Sequence, residues 1–325
     1  AFLLLAVFEL LLRLFGVGHS YKLFIKNPDN DLFLNVNPVV SEKYFMSSQG
    51  INTGGYLEPF LKNKPDTSFR IFVMGGSTAA GFPYDESAAT FPKLLHYSLE
   101  QTYPNKHFEI INTSLTAVNT FTLLDIADEI IKQHPDVILM YTGHNEYYGV
   151  LGAASAQKLG SNRTLIKSYL FLSRLRIWQL MKKGYYLALR GNSKETQSAT
   201  LMESLAKDQL VPYQSELYWQ GVVQFETNMT KLLQKFSNHR IPVFLGTLVS
   251  NEEHQRPFVS QISSDSVAFS LFYDKGVHFL KNKKLHSSLE NLKKALEIDN
   301  LHAGTHFFTG INYYEQGKFK KARNH

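Results

Sequence analysis

The sequence contains no cysteine in 325 residues. That excludes a disulfide-stapled scaffold, thiolate zinc sites, a cysteine nucleophile and iron–sulfur clusters, and it leaves the compartment open. A basic leader is missing ahead of the apolar run at residues 1–18 (AFLLLAVFELLLRLFGVG), so that run does not read as a signal peptide. Acidic residues are missing from 147–194, which carry Lys158, Arg163, Lys167, Arg174, Arg176, Lys182, Lys183, Arg190 and Lys194. That stretch alone is +9, so with a formal net charge of +6 the rest of the chain sums to −3. The basicity is one local stripe, without a recognised nucleic-acid-binding module beside it, and nucleic acid is not expected as a partner. No His, Asp or Glu spacing suggests a metal site. The stretch GGSTAAG lacks both the P-loop lysine and the dinucleotide glycine spacing, which argues against a nucleotide cofactor.

What is present is enough apolar side chain to build a core, 44% of residues, with 13% aromatic, and a length that allows about two domains. Residues 1–18 fall just short of the roughly 20 needed to cross a bilayer. With Glu9 and Arg13 four apart and able to pair on one face, they read as a membrane anchor, the alternative being a buried helix. Residues 19–68 are polar and broken by Pro28, Pro38, Gly50, Gly54, Gly55, Pro59 and Pro65, which predicts an irregular lead-in. A regular alternation follows. Strands are predicted at 69–74, 107–112, 137–141 and 242–248, and helices at 89–103, 122–133 and 216–238. Near-continuously apolar strands alternating with helices imply a parallel sheet covered on both faces. Over residues 265–325, Gly276 and Gly310, Phe279 and Tyr313, Leu285 and Phe319, and Ser288 and Ala322 are each 34 apart, the tetratricopeptide period. The second repeat is incomplete at His325.

In open parallel sheets reactive groups gather at the carboxyl ends of strands. After the first strand comes Gly75-Gly76-Ser77-Thr78-Ala79-Ala80-Gly81. A serine between strand and helix, flanked by glycines, can be a nucleophile on a tight turn, or a phosphate-loop or capping residue. After the second comes Asn112-Thr113-Ser114-Leu115-Thr116-Ala117-Val118-Asn119-Thr120, whose N–H groups sit where an oxyanion needs donors; Thr120 reads as a helix cap. After the third comes Tyr141-Thr142-Gly143-His144-Asn145-Glu146, in which the Asn145 amide can donate to a developing oxyanion.

Together these blocks resemble the SGNH/GDSL hydrolase superfamily over about residues 69–250. Ser77 matches the nucleophile block, and Asn145 in GHNE matches the block usually written G-x-N-D, with Glu146 in place of Asp. Ser114 occupies the glycine position of a third block, a departure. The runs TAVNTFTLLDIADEI and PDVILMYTGHNEYYG, followed by repeats, are similar to a bacterial branch carrying a tetratricopeptide insertion and a membrane anchor. The resemblance implies a three-layer flavodoxin-like domain at 69–258 whose fifth strand is missing from this chain, with tetratricopeptide repeats at 265–325. It implies a serine esterase or O-acyltransferase acting through an acyl-enzyme on an acylated small molecule or glycan, with no cofactor. Ser77 would attack, and the Ser77 and Ser114 N–H groups with the Asn145 amide would hold the oxyanion. Gly76, Thr78, Gly143, His144, Glu146 and His254 would line the pocket. The repeats would recruit a protein partner, and residues 1–18 would hold the protein in a bacterial inner membrane with the catalytic domain exported.

The family's Asp-x-x-His base block is not found after a strand. Asp299-Asn300-Leu301-His302 matches it literally but falls at the junction between the repeats, where it reads as a connector. The chain therefore looks like a fragment lacking its own base. Residues 151–194, basic and aromatic, read as a helical lid or a membrane-surface contact. The alternative function is a non-catalytic adaptor with a degenerate SGNH domain.

Overall fold

The computed structural model describes residues 2–45, 58–82, 84, 89–155, 162–189, 211–251, 253–257, 260, 262 and 267–325. The chain divides into two compact units, one of residues 1–211 and 216–248, the other of 212–215 and 249–325.

The first unit is built on a four-stranded parallel sheet. Its strands are β4 (Ser68–Gly75), β5 (His107–Asn112), β6 (Val137–Tyr141) and β7 (Val243–Leu245), in the order β5-β4-β6-β7. Their bounds follow the apolar runs, because a strand covered on both faces has no polar side to alternate with. Helix α4 (Thr120–Ile131) and the helix at Glu216–Asn238, which becomes α7 below, lie on one face. Phe121, Leu123, Ile126 and Ile130 of the first and Met229, Leu232 and Phe236 of the second enclose Phe72, Met74, Ile138 and Met140. On the other face Leu99 of α3 (Phe91–Thr102) packs with Ile71, Phe108 and Val137 in a smaller cluster. At the sheet's far edge, Phe244 and Leu245 of β7 are exposed.

Residues 19–68 are not irregular throughout, which corrects the expected lead-in. They form a three-stranded antiparallel sheet of β1 (Phe24–Lys26), β2 (Phe33–Val36) and β3 (Phe60–Leu61). The turn between the first two is folded by Asn27, whose Oδ1 accepts the N–H groups of Asp29 and Asn30, each at 2.9 Å. Phe24 and Phe60 meet edge to face and both contact Phe72, so this sheet is pinned to the main core by three aromatic rings.

The expected membrane-anchored localisation is also corrected. Among the described residues no helix is long and apolar enough to cross a membrane. Helix α1 (Phe2–Leu14) has 13 residues, about 20 Å at 1.5 Å per residue. It ends where Gly16 and Gly18 take left-handed backbone, φ +68° and +77°. Its one acid is committed to the protein. The Glu9 carboxylate pairs with Arg13 and accepts the N–H groups of Arg176 and Ile177, both at 3.0 Å, at the start of α6 (Arg176–Leu189). Those hydrogen bonds hold the Glu9 carboxyl below its ordinary pKa against the raising effect of desolvation.

The expected lid resolves into α5 (Arg163–Leu172) and α6. Ile166, Tyr169 and Leu170 of α5 are part of the main core. The polar contacts of the basic stripe run to the amino-terminal segment and to α4. Lys182 donates to the carbonyls of Glu42 and Phe45, and Arg174 pairs with Asp125 at 2.8 Å. Asp125 also takes the buried ammonium of Lys43 and, at 2.8 Å, the hydroxyl of Tyr44. Lys158, Arg190 and Lys194 of the stripe lie outside the described residues.

The second unit is helical. After α7 (Glu216–Asn238) of the first unit come α8 (Val267–Lys281), α9 (Leu285–Ile298), α10 (Ala303–Glu315) and the short α11 (Phe319–Ala322). The 34-residue spacing has a packing basis at its glycines. A Cβ on Gly276 would stand 2.7 Å from Cγ of Leu292, so α8 and α9 touch where a side chain is absent. A Cβ on Gly310 would stand 3.3 Å from the carbonyl oxygen of Ala322, a looser version of the same approach.

Candidate functional site

β4 delivers its carboxyl end into a turn that only small residues can make. Gly75 lies against β6 so closely that a Cβ would be 2.2 Å from the Tyr141 carbonyl oxygen. Gly76 is extended (φ −90°, ψ −158°), and Ser77 opens the four-residue helix α2 (Ser77–Ala80). Gly81, at φ +112°, closes it by donating its N–H to the Ser77 carbonyl at 3.0 Å. Ser77 is half-buried, and Thr78 is exposed.

The loop after β6 meets this turn. Asn145 is buried, and its Nδ2 lies 3.1 Å from where a Cβ on Gly76 would stand. The structure thus brings together Gly76, Ser77 and Asn145, which lie at the ends of neighbouring strands and far apart in sequence. The loop is held by compact turns. Gly149 donates its N–H to the Asn145 carbonyl at 2.8 Å, and a Cβ on Gly149 would stand 2.7 Å from that of Asn145. Gly143 has φ +136°, and a Cβ there would meet Leu248 at 2.8 Å.

Glu146, expected in the pocket, faces away from it. Its carboxylate is buried and accepts from Thr120 Oγ1 at 2.7 Å, Thr120 N–H at 3.2 Å and Gln224 Nε2 at 2.7 Å. Asn228 Nδ2 completes the set by donating to Thr120 Oγ1 at 2.9 Å. Desolvation raises the Glu146 carboxyl pKa, and these hydrogen bonds offset part of the rise. Glu146 therefore clamps the Asn145 loop to the start of α4 and to α7. Asn119, rather than Thr120, is the cap of α4, its Oδ1 accepting the Phe121 N–H at 3.1 Å. Tyr147 adds a second clamp, donating its hydroxyl to the Tyr218 carbonyl at 3.0 Å and lying over Gly221. His144 is exposed, with its ring 5.2 Å from that of Tyr141, and desolvation lowers its pKa from the ordinary value.

The loop after β5 shows what the serine at the glycine position does. Asn112 is the organising residue, and reading the block by its serine overlooked it. Its Nδ2 donates to the carbonyls of Ala79 and Ala80 at 3.1 and 3.3 Å, holding α2 in place. Its Oδ1 accepts the Ser114 N–H at 3.1 Å. The N–H assigned to the oxyanion is thus engaged within the loop, and the Ser114 hydroxyl is buried without a hydrogen-bond partner. Ala117, in left-handed backbone at φ +55°, accepts the Val150 N–H at 2.8 Å, so this loop and the Asn145 loop are tied together.

His254 belongs to the second unit, exposed, with Nε2 3.6 Å from Glu253. Asp299 and His302 are also there and serve as helix-end residues. Asp299 Oδ1 accepts the Leu301 N–H at 3.0 Å, and His302 Nδ1 accepts the Thr305 N–H at 3.1 Å at the start of α10. The His302 ring packs on Phe269 and Tyr273 at 4.7 and 5.0 Å. Among the described residues no group of three or more His, Asp or Glu side chains is placed to hold a metal ion.

Comparison with family models, with curated proteins and with solved structures finds no match to this chain.

Proposed function

We propose that the first unit carries a serine-dependent acyl-transfer site of SGNH/GDSL type, acting on an ester of a small molecule or glycan. The observation that carries this reading is the placement of the Asn145 amide beside Gly76, 3.1 Å from the position of an added Cβ. A serine raised at the end of a central strand, with a fixed amide donor at its shoulder, is the arrangement that acyl chemistry needs. Ser77 Oγ attacks the ester carbonyl, and its proton passes to a general base, which then gives it to the departing alcohol oxygen. The carbonyl oxygen gains negative charge, which Asn145 Nδ2 and the Ser77 N–H stabilise. Collapse expels the alcohol and leaves an ester on Ser77, which water or a second alcohol then takes up. Hydrolysis and O-acyl transfer share that intermediate. The helical unit, with its 34-residue spacing, is proposed as a tetratricopeptide-type surface for a protein partner.

A non-catalytic binding domain is the second reading, favoured by the engagement of the Ser114 N–H with Asn112 Oδ1 at 3.1 Å. Stopped-flow measurement with p-nitrophenyl acetate separates the two. The enzyme reading expects a burst of nitrophenolate stoichiometric with protein, abolished in Ser77→Ala. Absence of a burst from the full-length protein, or a burst that survives Ser77→Ala, would sink it.

A further inference from the structure

Beside the main core, and separate from the serine turn, lies a groove of about 400 Å³ along α7, lined by Phe121, Arg163, Trp219, Val223 and Thr227 with Glu216 at its amino-terminal rim. Its volume is within the range of small-molecule sites, about 300–1,000 Å³. Trp219, Val223 and Thr227 are four residues apart and so form one stripe on the helix. From Glu216 to Thr227 the stripe runs about 17 Å at 1.5 Å per residue. Trp219 and Val223 are more than half exposed. Phe121, Trp219 and Val223 give the groove an apolar wall for an alkyl chain, and Gln220 and Gln224 complete its lining.

Arg163 gives the groove a polar end. Its guanidinium stands over the Phe121 ring, 5.3 Å from the centroid, and its Nε and Nη2 are buried without a hydrogen-bond partner. The side chain as a whole is half-buried, so its charge is partly solvated. Lys231 is one turn beyond Thr227 on α7. Like-charge repulsion from Arg163 and from Lys167 lowers its ammonium pKa, which marks three cations gathered at that end. A guanidinium lining the groove, with two further cations near it and an apolar stripe adjoining it, matches the charge and shape of a carboxylate on a hydrocarbon chain.

We propose that this groove binds a single-chain carboxylate amphiphile, its head on Arg163 and its chain along Trp219 and Val223. The chain has only two tryptophans, Trp178 and Trp219, so dodecanoate can be titrated by intrinsic fluorescence, with Trp219→Phe identifying the reporter. The expected result is a saturable change below the micelle concentration. Arg163→Gln should weaken binding by about tenfold to a hundredfold, the value of a hydrogen bond to a charged group. Val223→Glu, which puts a like charge on an exposed position of the wall, should also abolish it, and both variants should keep the wild-type circular dichroism. Dodecanol should bind far more weakly than dodecanoate. The proposal is overturned if wild-type protein shows no saturable change, if both folded variants bind dodecanoate as wild type does, or if dodecanol binds equally well.

Discussion

The two ends of β4 are built on opposite rules. Near its start, Arg70 is fully buried and spends its donors on the protein: Nε on Glu109 at 2.9 Å, Nη1 on the Gln133 carbonyl at 2.8 Å and Nη2 on the Leu61 carbonyl at 2.6 Å. Glu109, its register partner on β5, also accepts from Ser68 Oγ and the Leu61 N–H. That end joins the antiparallel sheet to the parallel one. At its finish, five residues on, the strand runs into Gly75, Gly76 and Ser77, where the glycines withhold side chains so that another loop's amide can approach. The satisfied network belongs to stability, and the glycine turn leaves room for the Asn145 amide.

The sharpest break in that contrast is at the charged end. Arg70→Ala leaves Glu109 buried without its cation and should cost about 3–5 kcal/mol in urea unfolding, with any activity of the surviving folded fraction unchanged. At the other end, Asn145→Ala should move stability by less than about 1 kcal/mol and slow acylation of Ser77 by about 10²–10³. If Asn145→Ala instead unfolds the protein at near-normal acylation rate, the two ends do not differ as described.

A smaller effect is expected where the clamp links the two roles. Burial raises the Glu146 carboxyl pKa above its ordinary 4.5. The folded state therefore keeps that proton to higher pH than the unfolded chain does. The favourable contribution is complete below about pH 4.5 and is lost as pH rises through the folded-state value. Glu146→Gln should flatten that part of the stability profile. It should also cost about 1–3 kcal/mol, because an amide NH2 in place of Oε2 cannot accept the Thr120 N–H. An unchanged pH profile would remove Glu146 as its source.

Much of the sheet was legible because its strands are apolar runs between turn residues: 107–112 and 137–141 coincide with β5 and β6, and 69–74 differs from β4 by one residue at each end. The antiparallel sheet was not legible, since its strands have three, four and two residues, too short to show a period. Arg70 and Glu109 were overlooked for a related reason. Each is a charged residue in an apolar run, and only the parallel register sets them side by side. The approach of the Asn145 loop to the Ser77 turn could be read from their places after neighbouring strands. Glu146 could not be placed, because adjacency in sequence says nothing of which side of the loop a carboxylate takes. The role of Asn112 depends on α2 carbonyls that reach it only in the fold.

The most direct test of the serine site is fluorophosphonate labelling of the folded full-length protein, with the modified residue mapped by peptide mass spectrometry. The expected result is a single adduct on Ser77, absent in Ser77→Ala and formed at least about tenfold more slowly in Asn145→Ala, as loss of an oxyanion donor requires. An adduct on another residue, or none on folded protein, would contradict it.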